Sequence, residues 1–302
     1  AADILTAIEK AENEMLRNGI VAVGDICNNN ITIAQKSRQR LRYHNFIEVA
    51  GFVPADANAR FEAAIETRQQ FKNAVSLQAS IAPHAPYSVS PDLFKLIDDL
   101  PGNNLITIHN QETHAEDDFF KYRTGDFLNL YERLNIDISF FKASNKSSLQ
   151  TFLPFFTKGQ SLILVHDVTT TKEDIELIKT QTTNYKPPTF FCLCPNANLY
   201  ISNTLPDINM LLKNNCNIVL GTDSLASNHQ LSILDEIKTL QKNFPQLELS
   251  TMLQWATING AKALQMNDTL GSFEKGKQPG LVLIENVEDC RLTKDSSSKR
   301  IL

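Results

Sequence analysis

The feature that most constrains this chain is a regular alternation of short apolar runs with segments of helical periodicity. Seven runs rich in aliphatic and β-branched residues are predicted strands, and most are separated by segments whose apolar positions recur every three or four residues. The predicted strands span residues 20–26, 46–53, 75–82, 104–109, 161–166, 189–194 and 218–222. Strands that alternate with helices are typical of a parallel sheet covered by helices.

Two architectures suit seven such units, a doubly wound sheet and a (β/α)₈ barrel. The chain opens on a predicted helix from Asp3 to Asn18, and Gly19 is placed to end it. A barrel unit spans about 30 residues and begins with a strand. We therefore expect an α/β fold of the TIM-barrel type whose first strand precedes this sequence.

The character of the sequence changes after the last predicted helix. Residues 281–284 form a lone predicted strand, and residues 296–300 are a polar tail. The lone strand has no evident partner in the chain, so we expect it to pair with N-terminal strands outside this sequence. The predicted domains are a barrel over residues 1–265 and, over residues 266–302, the remnant of a small β-sandwich.

Composition narrows the class of protein. The chain has 302 residues and is 42% hydrophobic, which is enough for a sizeable core. Its net charge of −5 is dispersed, which argues against a nucleic-acid-binding surface and favours a small-molecule substrate. No apolar run approaches the roughly 20 residues that span a bilayer, and no secretory signal is evident. The five cysteines lack a framework spacing, so we expect reduced thiols in a cytoplasmic protein. A homodimer is kept open as an assembly.

Polar side chains follow four of the predicted strands at the point where each strand ends. His84 follows the third strand, His109 and Glu112 the fourth, His166 the fifth and Asp223 the seventh. In a barrel these ends meet at one rim. Imidazole and carboxylate ligands suit Zn²⁺ or Fe²⁺ with an open position for water. A bound cation lowers the pKa of that water towards ~7, and a nearby carboxylate can take its proton.

Six short motifs, in this order along the chain, resemble the amidohydrolase superfamily. They are PHAPY (83–87), HNQET (109–113), LVH (164–166), CPNANL (194–199), GTDSLASN (221–228) and GSFEKGK (271–277). The likeness runs from about Gly19 to Ile284. It is to the one-metal branch, which includes deaminases of adenosine and S-adenosylhomocysteine, aminodeoxyfutalosine deaminases of the futalosine route to menaquinone, and triazine chlorohydrolases. The aminodeoxyfutalosine deaminases are the most similar group, in part because of the turn at residues 277–280.

The resemblance implies hydrolytic deamination of an amino-purine nucleoside or a similar compound. His109 and Asp223 would be metal ligands, and Asp223 would also handle the proton of the attacking water. Glu112 would protonate a ring nitrogen of the substrate, while His166 would orient the nucleophile and stabilise the developing oxyanion. The implied substrate-binding residues are His84, Asn198 and Ser224. The implied cofactor is one divalent metal, with zinc favoured and iron as the alternative.

One departure from the family pattern bears on activity. The family also uses a His-x-His pair at the end of the first strand, and none of the six histidines here has another two positions on. Only two of the four usual ligands are then present. We therefore expect the chain as given to hold a metal weakly, and whether it is active by itself stays open. Two alternatives remain. One is hydrolysis of another leaving group, such as chloride or an amide, and the other is a metal-free barrel that serves as a binding or assembly module.

Two other polar segments favour structural roles. His44 precedes a strand, at the end of the barrel away from the site, and is expected on the surface. Thr113 is followed three residues later by Glu116, which fits a capping box at the start of a helix.

Overall fold

Strands and helices alternate through most of the chain in the computed structural model, which describes residues 2–74, 77–181 and 188–302. The strands are β1 (Ala22–Cys27), β2 (Arg42–Val49), β3 (Gln78–Pro83), β4 (Leu105–Asn110), β5 (Ser161–His166), β6 (Thr189–Leu193), β7 (Asn217–Leu220), β8 (Val282–Glu288) and β9 (Arg291–Arg300). The helices are α1 (Ala2–Arg17), α2 (Ile33–Lys36), α3 (Ala57–Asn73), α4 (Pro91–Asp99), α5 (His114–Tyr122), α6 (Asp126–Arg133), α7 (Ser148–Phe152), α8 (Lys172–Gln181), α9 (Pro195–Ser202), α10 (Ile208–Lys213), α11 (Ile233–Asn243), α12 (Leu249–Gln254) and α13 (Gly260–Ala263). A π-helical segment, Trp255–Asn259, joins α12 to α13.

The first seven strands are parallel and follow one another in chain order. Hydrogen bonds connect β1 to β2 to β3, and likewise β4 to β5 to β6 to β7. Between β3 and β4, the backbone N–H of His109 donates to the carbonyl of His84 at 3.0 Å. The side chain of Asn103 accepts from the N–H of Ile81 at 2.8 Å and donates to its carbonyl at 2.9 Å. The seven predicted parallel strands are therefore confirmed.

A layer of side chains fills the interior of the barrel that the strands form. Six successive strands contribute one residue each and the last helix contributes another: Phe46, Ala82, Leu105, Ile163, Phe190, Val219 and Ala263. A layer built from successive strands is the packed core of a barrel. At Gly24 of β1, a Cβ would lie 2.9 Å from Leu264 and 3.0 Å from Phe46, so glycine leaves the room that these side chains occupy. Among the described residues, β1 pairs only with β2 and β7 only with β6, which leaves the barrel open between them.

The helices cover the outside of the strands with their apolar faces. In α4, Ser90 accepts a hydrogen bond from the N–H of Leu93 at 3.3 Å, and Pro91 occupies the first helical position, where its missing N–H costs nothing. Leu93 and Ile97 of this helix are fully buried. Burial of each such side chain contributes about 1.5–3 kcal/mol. Within the described residues, no helix has the length and apolar character that crossing a membrane requires.

Two strand boundaries differ from the prediction. β2 begins at Arg42 and ends at Val49, four residues earlier at each end than predicted. The chain leaves the strand there because Gly51 forms an isolated bridge with Val89, its N–H donating to the carbonyl of Ser88. β3 begins at Gln78, and residues 75–76 of the predicted strand lie outside the described residues.

The expectation that the C-terminal strand has no partner within the chain is wrong, while its pairing with strands outside this sequence stays a prediction. β8 has its partner within the chain, since it pairs antiparallel with β9. Residues 296–300, expected as a polar tail, belong to β9. Asp289 and Cys290 both have positive φ, 46° and 57°, as a tight two-residue hairpin turn requires. The hairpin was missed because the serines and charged residues of β9 have low strand propensity and no clear apolar alternation.

His44 is buried rather than exposed, which corrects a second prediction. It is the third residue of β2 and only 8% exposed, and its Nε2 lies 2.9 Å from the hydroxyl of Ser80. The strand begins early enough that His44 and Phe46, two residues apart, share the inward face. Burial lowers the pKa of His44 from 6.5 to about 4.

This shift predicts acid sensitivity of the fold. His44 stays neutral in the folded chain, whereas the unfolded chain binds a proton below about pH 6.5, so stability falls as the pH drops from there to about 4. We expect His44→Gln to remove up to ~3 kcal/mol of this loss, measured as the free energy of unfolding in denaturant between about pH 4 and 7. His114→Gln, at an exposed histidine, is the control and should retain the wild-type slope. Parallel pH profiles for wild type and His44→Gln would contradict the prediction.

Candidate active site

Three histidine rings lie side by side at the carboxyl ends of β3, β4 and β5. His84 directly follows β3, His109 is the last residue but one of β4, and His166 is the last residue of β5. The ring centroids of His84 and His109 are 5.1 Å apart, and those of His109 and His166 are 5.6 Å apart with an angle of 25° between the planes. The fold thus brings His109 close to His84, about 25 positions earlier in the sequence, and to His166, about 57 positions later.

The backbone sets the direction of the His109 ring. Its Nδ1 lies 2.8 Å from the carbonyl oxygen of His84, so that an Nδ1–H donates there and the Nε2 lone pair is left for a ligand. The Nδ1 of His84 lies 2.8 Å from the hydroxyl of Ser88. Burial lowers the pKa of His84, with Glu48 opposing this shift and His109 adding to it. The lowered pKa favours the neutral form of the His84 ring.

Glu112 and His166 face each other from the loop after β4 and the end of β5. The Oε1 of Glu112 lies 3.5 Å from the Nε2 of His166. Burial raises the pKa of Glu112, while His109 opposes the shift and Asp223 adds to it. Burial lowers the pKa of His166, which is 1% exposed. Burial thus shifts Glu112 towards its protonated form and His166 towards its neutral form, a combination suited to proton transfer.

Asn198 fixes the other side of the His166 ring. It is buried in α9, and its Oδ1 lies 2.7 Å from the Nδ1 of His166. This contact directs Nε2 of the same ring towards Glu112.

Asp223 and Ser224 follow β7, and both make side-chain hydrogen bonds within their own loop. Asp223 has a left-handed φ of 56°, and its carboxylate accepts a hydrogen bond from the hydroxyl of Ser227. Asp223 contributes to the pKa shifts of both Glu112 and His166, so its charge is felt in the same space. Ser224 is exposed, and its hydroxyl accepts from the N–H of Ala226 at 3.2 Å, within its own loop.

Glu48 also lies beside these histidines, and the sequence analysis missed it. It is the last residue but one of β2, and its Oε1 lies 3.8 Å from the Nδ1 of His109. Its Oε2 accepts from the side-chain amide of Asn28 at 2.6 Å. The available signal was an acid within the apolar run 46–49, because a charged side chain in a buried strand needs a partner.

The donor chemistry of the cluster fits a divalent metal. Glu48, His84 and His109 each offer one ligand atom, and these atoms all lie within 4.8 Å of one another. Ligand atoms around a tetrahedral zinc lie roughly 3.4 Å apart, so small side-chain rotations would suffice. This group, found among the described residues, does not include Asp223.

Comparison with known proteins identifies the family. Residues 6–301 match the amidohydrolase family. The chain belongs to this family. An adenosine deaminase of Helicobacter pylori is 30% identical over 281 residues, which cover 91% of this chain and 66% of the relative. An aminodeoxyfutalosine deaminase of Nitratiruptor is 25% identical over 300 residues, covering 94% of this chain and 70% of the relative.

A solved amidohydrolase structure agrees with the barrel. The aminofutalosine deaminase of Helicobacter pylori, in complex with methylthio-coformycin, superposes with a TM-score of 0.83 at 25% identity, covering 98% of this chain and 76% of that one. The predicted family and the TIM-type barrel are therefore confirmed. The chain spans between about half and two thirds of the length of the first curated relatives that it matches.

Proposed function

We propose that the complete protein is a metal-dependent hydrolase that deaminates an amino-purine nucleoside of the aminodeoxyfutalosine or adenosine type. The observation that carries the proposal is the Glu112–His166 pair, 3.5 Å apart beside His109, within a chain similar to deaminases over nearly its whole length. A cytoplasmic location is part of the proposal, because all five cysteines are free thiols.

One divalent ion, zinc rather than iron, would be held by His109 and Asp223. The ion would supply a water acidic enough to lose its proton near neutral pH. Glu48 and His84 adjoin His109 and would face the substrate in this arrangement. The backbone contact to Nδ1 of His109 supports this role, since it leaves Nε2 of the ring free.

The protein's own groups divide the proton transfers between them. The carboxylate of Asp223 takes a proton from the attacking water and passes it to the leaving amine. The carboxyl of Glu112, whose pKa burial raises, carries the proton that a ring nitrogen accepts as the adjacent carbon is attacked. The ring of His166, whose Nδ1 is fixed by Asn198, orients the water through Nε2, and it stabilises the charge that develops on the oxygen when Nε2 carries a proton. The oxygen of the water thereby replaces the amino group, ammonia leaves, and the hydroxyl proton of the intermediate returns to Glu112.

The substrate would lie across the rim formed by these strands. His84 would line this rim, and Ser224 would contact the substrate only from its exposed loop. Asn198, which is buried against His166, would support the rim through that ring. We further propose that residues 1–265 form the catalytic barrel and that residues 266–302 belong to a separate small β unit.

The activity can be tested directly with the full-length protein. We expect ammonia release from aminodeoxyfutalosine, adenosine or S-adenosylhomocysteine, and a fall in kcat of about 10²–10⁴-fold for Glu112→Gln and for Asp223→Asn. Glu132→Gln, at an exposed glutamate of α6, is the matched control and should retain activity. Full activity in Asp223→Asn would refute the mechanism. Release of chloride from a chlorinated heterocycle without ammonia release would favour the chlorohydrolase alternative, and no hydrolysis of any substrate would favour a metal-free barrel.

Metal binding gives a second, independent test. Equilibrium dialysis with Zn²⁺ and, without oxygen, with Fe²⁺ should show one ion per full-length chain. His109→Asn and Asp223→Asn should each weaken binding by more than about tenfold. Glu48→Gln should retain the ion. Loss of the ion in Glu48→Gln but not in Asp223→Asn would move the site to Glu48, His84 and His109.

A further inference from the structure

A fully buried acid lies directly behind Glu112. Glu116 of α5 is 1% exposed, and burial raises the pKa of its carboxyl to about 8. Its Oε1 accepts from the backbone N–H of Gln111 at 3.0 Å, and its Oε2 is 3.4 Å from the N–H of Glu112. The carboxyl is therefore turned towards the backbone that carries Glu112.

These contacts correct the capping box predicted for this segment. In a capping box, Glu116 would reach back to the N–H of Thr113, and the Thr113 side chain would cap the helix. The side chain of Thr113 makes no capping hydrogen bond. Glu116 reaches one and two residues further back because Gln111 has a left-handed φ of 49°, which turns successive N–H groups towards the same acceptor.

The same turn is tied to the loop that follows His166. The side-chain amide of Gln111 donates to Asp174 at 3.0 Å and accepts from the hydroxyl of Thr170 at 2.8 Å. The backbone carbonyl of Gln111 accepts from the N–H of Thr169 at 3.1 Å. Gln111 and Asp174 are fully buried. The turn that carries Glu112 and the loop after His166 are thus held in one hydrogen-bonded unit.

We propose that Glu116 is a positioning residue that holds the Gln111–Glu112 turn in its left-handed form and so keeps the Glu112 carboxyl against His166. A non-glycine residue in this conformation is disfavoured by roughly 1–2 kcal/mol, so the turn needs contacts that compensate. The two carboxyl oxygens match the two converging N–H groups. Because the carboxyl faces the backbone, Glu116 acts through Glu112 and does not touch the substrate. This inference deepens the proposed deaminase function and rests on it.

The direct test is Glu116→Gln in the full-length protein. An amide keeps one acceptor but sets an NH₂ group against a backbone N–H, so one of the two contacts is lost. We expect kcat to fall by about 10- to 100-fold with little change in KM, because a displacement of about 1 Å at a catalytic group costs this much. Amide hydrogen exchange at Gln111 and Glu112 should accelerate relative to wild type.

Asp98→Asn is the matched control for lost stability. Asp98 is also buried, and its carboxylate accepts from the backbone N–H of Thr157 at 2.9 Å and of Lys158 at 3.3 Å. These residues precede β5, at the end of the barrel opposite the histidines. Asp98→Asn should lower the unfolding free energy to a similar extent while the kcat of the folded enzyme and the exchange of the Glu112 amide stay unchanged.

A double-mutant cycle decides whether Glu116 acts through Glu112. In a Glu112→Gln background, adding Glu116→Gln should cost almost no further activity, because the group that it positions is already lost. An equal cost of Glu116→Gln in both backgrounds would overturn the proposal, and so would unchanged amide exchange at Gln111 and Glu112. If the wild-type protein released no ammonia, the proposed function would fail, while the exchange measurement would still decide whether Glu116 holds the turn.

Discussion

The carbonyl oxygen of His84 makes a backbone contact between β3 and β4 and also orients the ring of His109. It accepts the backbone N–H of His109, which connects β3 to β4, and it faces the ring Nδ1 of the same residue. The strand contact and the ring orientation therefore depend on one atom. Asn103 supports this joint by taking both backbone groups of Ile81 next to β4. The N–H and carbonyl of Ile81 are buried and would otherwise be unpaired. Their pairing with Asn103 therefore favours this one alignment of β3 next to β4.

Several acidic side chains near the rim have raised pKa values because they are removed from water. Burial raises the pKa of Glu112, of Glu116 and of Asp167, and each is in reach of amide donors or a histidine. Placing several carboxylates in a low-dielectric region is costly when all are charged, so burial favours the protonated form of each, while at Glu116 the two backbone N–H groups oppose this by stabilising the carboxylate. The proposed hydrolysis of an amino-heterocycle needs a proton donor, and the raised pKa of Glu112 is a shift in the direction that this role requires.

Particular residues show how far sequence reasoning reached. His84, His109 and His166 were predicted together because each follows an apolar run, and parallel strands end at one rim. Glu48 was missed because the predicted strand ran to residue 53, whereas it ends at Val49 and so leaves Glu48 next to the rim. His44 was misplaced because the same strand begins at Arg42. The β8–β9 hairpin escaped because its pairing is made by polar side chains that carry no periodic signal.

The sequence by itself determined the alternation of strands and helices, the family, and which histidines and acids stand at strand ends. Those properties follow from local periodicity and from motifs of a few residues, which the chain carries without reference to distant partners. Only the tertiary structure decided that Glu48 joins His84 and His109, that Glu116 holds the backbone of Glu112, and that Gln111 ties two loops together. These contacts depend on strand register and on the left-handed turn at Gln111, which are set by packing across the barrel and leave no periodic mark on the sequence.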